Sequence, residues 1–188
     1  MDRAQQVLHE IEEQSRKNPL IIIGPKRGTI LDDAVLKYKP KTVIEIGTLV
    51  GYSAIRMGRL IGPGKITCLE VDEEIARVAR ENISRAALEG VIDVRVGDAR
   101  VLLPKLTGPF DMVFIDAEKD QYLAYLRLAE PNIKKGGVVL ADNVKRFASE
   151  MQDYLAYVRD SGKYRSTYVE SESSFDPDGD AVEISIKL

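Results

Sequence analysis

From Thr42 onward the chain alternates short β-branched runs with stretches of helical periodicity, and that alternation narrows the possible folds more than any other feature. The runs TVIEI, KITCLEV, IDVRV and DMVFI are separated by SAIRMGRL, EEIARVARENISRAA and further polar segments. Repeated βαβ units of this kind predict a parallel sheet covered on both faces, because strands buried on two sides carry no polar face. GGVVLA supplies a fifth strand. The tail reads differently: KYRSTYVE, a polar loop SESSFDPDGD and AVEISIKL predict a hairpin at the sheet edge.

Ahead of this alternation, Val7, Leu8 and Ile11 recur at helical spacing, as do Ile30, Leu31, Ala34 and Val35, so two helices precede the first strand. Between them NPLIIIGPKRG reads as a linker, an apolar stretch punctuated by Pro and Gly and too short for a helix. A chain of 188 residues with 44% hydrophobic content supports one well-buried core, hence a single domain over residues 1–188. With 27 Lys and Arg against 30 Asp and Glu there is no basic track for nucleic acid, and a small-molecule partner is expected. The single cysteine, Cys68, allows no internal disulfide. No run reaches the roughly 20 apolar residues that span a bilayer, and the first residues lack a secretory pattern, so the expected address is cytoplasmic, away from membranes.

The first strand ends in an acid and enters a glycine turn, Glu45-Ile46-Gly47-Thr48-Leu49-Val50-Gly51-Tyr52-Ser53. Ligands of open parallel sheets sit where such a strand yields to its helix. A dinucleotide fingerprint would need glycine at the third and sixth places of this turn, where Leu49 and Tyr52 stand. An acid just before Gly47 suits an ammonium group better than a pyrophosphate. Glu70, ending the second strand, can accept ribose hydroxyls, and Gly97-Asp98-Ala99 ends the third, where an adenine edge could be met. The alternative is a plain tight turn with solvated acids; acids at successive strand ends favour the ligand.

The fourth strand delivers Asp116-Ala117-Glu118-Lys119-Asp120 and the fifth Asp142-Asn143. Adjacent parallel strands would bring Asp116, Asp142 and Asn143 to one edge as three hard oxygen ligands of the type Mg²⁺ prefers, though Asp-Asn is also ordinary turn chemistry. Such an ion favours the ionised form of a hydroxyl and makes a phenol nucleophilic. Lys119, three residues past Asp116, reaches the same place; positive charge nearby favours its neutral form, which a general base requires. The alternative is a surface lysine paired with Asp120. His9 reads as a surface residue, Cys68 as a small buried hydrophobe, and Tyr122 and Tyr125 as packing groups.

The segments VIEIGTLVGYSAIRM, ITCLEVD, VRVGDA, FDMVFIDAEKDQYLAY and GGVVLADNV, with GPKRGTILDDAVL before them, resemble the class I, metal-dependent O-methyltransferases, especially the catechol O-methyltransferase group. The resemblance spans roughly residues 18 to 188. It implies an α/β, Rossmann-like sheet ordered 3-2-1-4-5-7-6 with the last strand antiparallel, helices on both faces, and the N-terminal helices of residues 1–39 covering the site. It further implies S-adenosylmethionine as methyl donor, held by Glu45, Gly47, Thr48 and Ser53 at its amino-acid end and by Glu70 at the ribose. Asp98 and Ala99 would border the adenine, with Ile23 and Asp116 also against the cofactor. Asp116, Asp142 and Asn143 match the family's Mg²⁺ ligands and Lys119 its catalytic base. Lys119, Asn143 and Glu172 would face the substrate, a catechol or polyphenol.

The chain departs from the animal catechol enzymes in having no tryptophan to close the pocket: Glu118 stands where one would sit, and Pro19 and Phe147 fall at other wall positions. A glutamate expected near the tail aligns on Ser173 or Ser174, with Glu172 as its nearby substitute. Caffeoyl-coenzyme A and other phenylpropanoids are the alternative acceptors, against which the short N-terminal segment argues; a binding module without turnover is the non-enzymatic alternative. Monomer and homodimer both stay open.

Overall fold

Hydrophobic residues on both parities of a strand can be satisfied only if both sheet faces are covered, and this is how the computed structural model resolves the β-branched runs. It describes residues 2–18, 20–172 and 178–188. Seven strands, β1 (Thr42–Ile46), β2 (Lys65–Glu70), β3 (Ile92–Val96), β4 (Phe110–Ile115), β5 (Ile133–Ala141), β6 (Tyr164–Ser171) and β7 (Asp180–Lys187), form one sheet ordered β3-β2-β1-β4-β5-β7-β6. The first five pair in parallel, and β7 runs antiparallel to both β5 and β6. The tail hairpin is therefore present, with β7 inside the sheet and β6 at its edge.

Alternate residues of the central strands enter separate cores. Val43, Met112, Phe114, Val138 and Leu140 pack on one face with α1 (Arg3–Lys17), α2 (Gly24–Tyr38), α3 (Tyr52–Gly58) and α4 (Glu73–Arg85). Ile44, Ile46, Val113, Ile115 and Val139 pack on the other with α5 (Ala99–Leu102), α6 (Tyr122–Ala129) and α7 (Gln152–Asp160). No helix among the described residues is long and apolar enough to cross a membrane.

The stretch read as a linker is shorter than its composition suggests, because GPKRG already belongs to α2. Pro25 lies in the first turn, where its missing N–H would have had no intrahelical partner. Gly28 lets α2 press on α3: a Cβ there would lie 2.6 Å from Arg56 Nε. The same contact is strengthened by Asp32, which accepts from Arg56 Nη2 at 2.5 Å and Arg59 Nη2 at 2.7 Å. Lys39 ends α2 in the left-handed conformation and Pro40 prevents its continuation. Tyr52 Oη donates to Glu12 Oε1 at 2.5 Å, tying α1 to the start of α3.

Phe114, wholly buried at the centre of β4, and Leu36, 55% exposed on α2, set a contrast. Phe114→Ala is expected to cost about 3–5 kcal/mol through lost burial and a residual cavity, whereas Leu36→Ala should stay within about 0.5 kcal/mol. Urea denaturation of the two variants checks the placement of the core.

Candidate active site

The parallel ladder continues one residue past each strand and so lines up the site. Gly47 N–H donates to Leu69 O at 2.9 Å, Gly97 N–H to Glu70 O at 2.8 Å, Asp116 N–H to Ile46 O at 2.9 Å, and Asp142 N–H to Ile115 O at 3.0 Å. The carboxyl edge of β2, β1, β4 and β5 thereby opens into one cavity of about 560 Å³. Its wall includes Ile23, Gly47, Thr48, Ser53, Glu70, Asp98, Ala99, Asp116, Lys119, Asp142 and Asn143, so most residues singled out from the sequence converge.

Gly47 has a reason to be glycine. Its φ is +81°, and a Cβ would lie 2.2 Å from the Asp116 carbonyl oxygen, so the β1 turn and the end of β4 approach only because no side chain intervenes. Leu49 also takes a positive φ, 49°, and its N–H donates to Glu70 Oε2 at 3.0 Å. The other Glu70 oxygen accepts from Val71 N–H at 2.9 Å and Asp72 N–H at 3.2 Å, which fixes the carboxylate at the cavity wall. Asp98 caps α5 and grips Arg100, whose hydrogen bonds hold the Asp98 carboxyl below its ordinary range.

Glu45 departs from its expected place on the wall. Strand parity turns its side chain under the turn, wholly buried, where it accepts from Thr48 Oγ1 at 2.7 Å and from Ser53 Oγ. Burial raises its carboxyl above the usual value, while hydrogen bonds from Cys68, Ser53 and Thr48 oppose the rise. Glu172 is likewise outside the wall; it is exposed and pairs with Lys26. Pro19, Ser173 and Ser174 lie outside the described residues.

At the other end of the cavity, carboxylates crowd together. Lys119 Nζ donates to Asp116 Oδ1 at 2.8 Å and to Tyr122 Oη at 2.9 Å, and lies 5.8 Å from the Phe147 ring centroid. It pairs with Asp116, not with Asp120. Tyr122 does more than pack, since its hydroxyl also donates to the Asp142 carbonyl at 3.2 Å. Burial, then the negative charge of Asp116, hold that phenol well above its ordinary pKa, so it keeps its proton. Tyr125, read as packing, also borders the cavity.

Asp142 is fully buried. Burial, then the like charge of Asp116, raise its carboxyl, and Arg27 pulls it back. Arg27 Nη2 donates to Asp142 Oδ2 at 3.1 Å. Its Nε lies 2.8 Å from Oδ1, but neither of those two atoms makes an aligned hydrogen bond. A buried carboxylate oxygen with its lone pairs poorly used, beside a second carboxylate and an amide, fits a small divalent cation. Among the described residues no three acidic, histidine or cysteine side chains form a metal cage, so the Asn143 amide would supply the third protein oxygen.

A family model described as O-methyltransferase matches residues 2–155. The chain belongs to this O-methyltransferase family. It is 36% identical over 174 residues to catechol O-methyltransferase B of Danio rerio, covering 88% of this chain and 65% of that protein. It is 40% identical over 133 residues to a catechol O-methyltransferase of Niastella koreensis, covering 68% and 60%. The chain thus spans 65% and 60% of the length of these two relatives. An O-methyltransferase of Bacillus cereus, solved in complex with SAH, superposes with a TM-score of 0.86 at 26% identity, covering 100% of this chain and 92% of that one.

Wall residues of this O-methyltransferase-family site that the sequence does not mark as site groups include Arg27, Tyr52 and Asp180. Arg27 falls in the stretch whose composition reads as a linker. Asp180 opens the last strand, and nothing in the local sequence ties it to Asn143 37 residues earlier.

Gly47→Ala and Gly162→Ala separate dihedral strain from steric conflict, because Gly162 also has a positive φ, 72°, but open space around its Cβ position. Both should lose about 1–2 kcal/mol from the left-handed backbone, and Gly47→Ala distinctly more from its clash with Asp116. Comparison of their melting midpoints reads the difference.

Proposed function

We propose that this chain is an S-adenosylmethionine-dependent, divalent-metal-dependent O-methyltransferase that methylates a hydroxyl of a catechol-like small molecule. The observation that carries the reading is the meeting, in one cavity, of the Gly47 turn and Glu70 with Lys119, Asp116, Asp142 and Asn143. Family membership and the curated catechol O-methyltransferase relatives support it.

Glu70 would accept the ribose hydroxyls, its two oxygens having been oriented beforehand by three backbone N–H groups. Leu69 and Ala99, packed in one core next to Asp98, offer apolar surface for the adenine, and Ile23 borders the same cavity against the cofactor. Thr48 and Ser53, fixed from beneath by Glu45, would meet the amino-acid end along with Gly47. S-adenosylmethionine bound there supplies an electrophilic sulfonium methyl, and Mg²⁺ held by Asp116, Asp142 and Asn143 supplies positive charge that favours the ionised acceptor.

Lys119 would take the acceptor's proton on Nζ. Asp116 and Tyr122 hold that nitrogen in place, and a base must lie within hydrogen-bond reach of the proton it removes. Positioning the two reactants, together with stabilising the developing oxyanion, accounts for the larger part of the rate gain such a site can give. The acceptor side is open: exposed Glu118 stands on the rim and Phe147 on the wall. Small catechols with polar substituents suit it better than wholly apolar ones.

Methyl transfer from S-adenosylmethionine to a catechol panel tests the reading. Turnover should require Mg²⁺, vanish with chelator, and fall about 100- to 10,000-fold in Lys119→Ala with cofactor affinity retained. Turnover indifferent to chelator would remove the metal from the account. Cofactor binding without turnover on any catechol would move the acceptor to another hydroxylated class.

A further inference from the structure

The parallel strands deliver Asp116 and Asp142 to the site by their carboxyl ends, and the one antiparallel strand delivers a residue from its start. In the β5–β7 register Ala141 faces Glu183, and Val144 N–H donates to Ala181 O at 3.1 Å, so the first residue of β7, Asp180, lies against the loop that leaves β5. Asp180 is 2% exposed and borders the cavity.

Its two oxygens divide their work. Oδ1 accepts from the backbone N–H groups of Ala181 at 2.8 Å, Arg146 at 3.2 Å and Lys145 at 3.3 Å, which anchors the loop. Oδ2 accepts from Asn143 Nδ2 at 2.8 Å and lies 3.5 Å from Arg27 Nη1. A carboxylate accepts hydrogen bonds and an amide has one donating end, so only the nitrogen of Asn143 can face Asp180. Rotating the amide by half a turn would set two acceptors against each other. Asn143, buried and held at a φ of 64°, has little other freedom.

We infer that Asp180 is a positioning residue of the metal site: it orients the Asn143 amide so that its oxygen, not its nitrogen, is presented beside Asp116 and Asp142. The inference rests on the metal-dependent reading above. Outer groups that orient a ligand typically change metal affinity about 10- to 100-fold when removed.

Mn²⁺ binding, measured by the loss of its free paramagnetic resonance signal, tests this in three proteins: the unaltered chain, Asp180→Asn, and the exchange variant Asp180→Asn with Asn143→Asp. Asp180→Asn places a donor where the acceptor stood and should weaken Mn²⁺ binding about 10- to 100-fold. The exchange restores a donor facing an acceptor and keeps the total charge, so it should recover most of the lost affinity. S-adenosylmethionine affinity, read by calorimetry on the same samples, should stay unchanged and reports intact folding.

Asp180→Asn binding Mn²⁺ as the unaltered chain does would overturn the inference and leave the metal reading standing. A folded exchange variant that fails to recover would overturn it too, since a donor facing an acceptor would then not be what the site requires. An exchange variant that does not fold would contradict the matched pairing it preserves. No Mn²⁺ binding by the unaltered chain would remove the metal reading and the inference with it.

Discussion

Three carboxylates, those of Asp116, Asp142 and Asp180, occupy one end of the sheet together with Arg27 and Lys119, and the rest of the site is arranged around that concentration of polar groups. Taking such groups out of water costs several kcal/mol per ion, which good geometry and further hydrogen bonds must offset. Here Lys119 Nζ donates to Asp116, Arg27 reaches both Asp142 and Asp180, and backbone N–H groups take up Asp180 Oδ1. The compensation is incomplete at Asp142, where the Oδ1 contact with Arg27 is close but misaligned. A site tuned for stability alone would have replaced these charges with packed apolar groups. Their presence in a cavity that also contains the glycine turn supports the proposed cation site.

Topology supplies the convergence. Parallel neighbours end at the same edge, so four strands bring their terminal residues together without long loops, and Gly47 lets β1 and β4 close to backbone contact there. The antiparallel β7 adds what parallel strands do not, a strand beginning at that edge. The N-terminal helices complete the wall: α2 contributes Arg27, and the Asp32–Arg56 and Glu12–Tyr52 contacts bind α1 and α2 to α3, where Tyr52 and Ser53 border the cavity. Stability of the helical cover and organisation of the site are therefore the same set of interactions.

Much of this was legible in the sequence. The five parallel strands declared themselves because residues buried on both faces leave unbroken β-branched runs, and the acids at their ends were placed by the ladder alone. Where the reading departed from the structure, the causes were specific. GPKRG reads as a linker on the strength of Pro and Gly, yet proline is at home in a helix's first turn. Glu45 was placed against the cofactor, but its position in the pleat turns it beneath Thr48 and Ser53. Arg27 and Asp142 pair across 115 residues, and Asn143 and Asp180 across 37, separations that no periodicity or turn motif encodes.

The proposal that Asp116, Asp142 and Asn143 form a cation site rather than part of a structural ion-pair network is tested most directly by crystals grown with S-adenosylmethionine and Mn²⁺ and examined for anomalous scattering from the metal. The account predicts a single strong peak contacted by Asp116, Asp142 and the Asn143 amide oxygen. Density for the cofactor with no metal peak at saturating Mn²⁺, and Arg27 alone against Asp142, would contradict it.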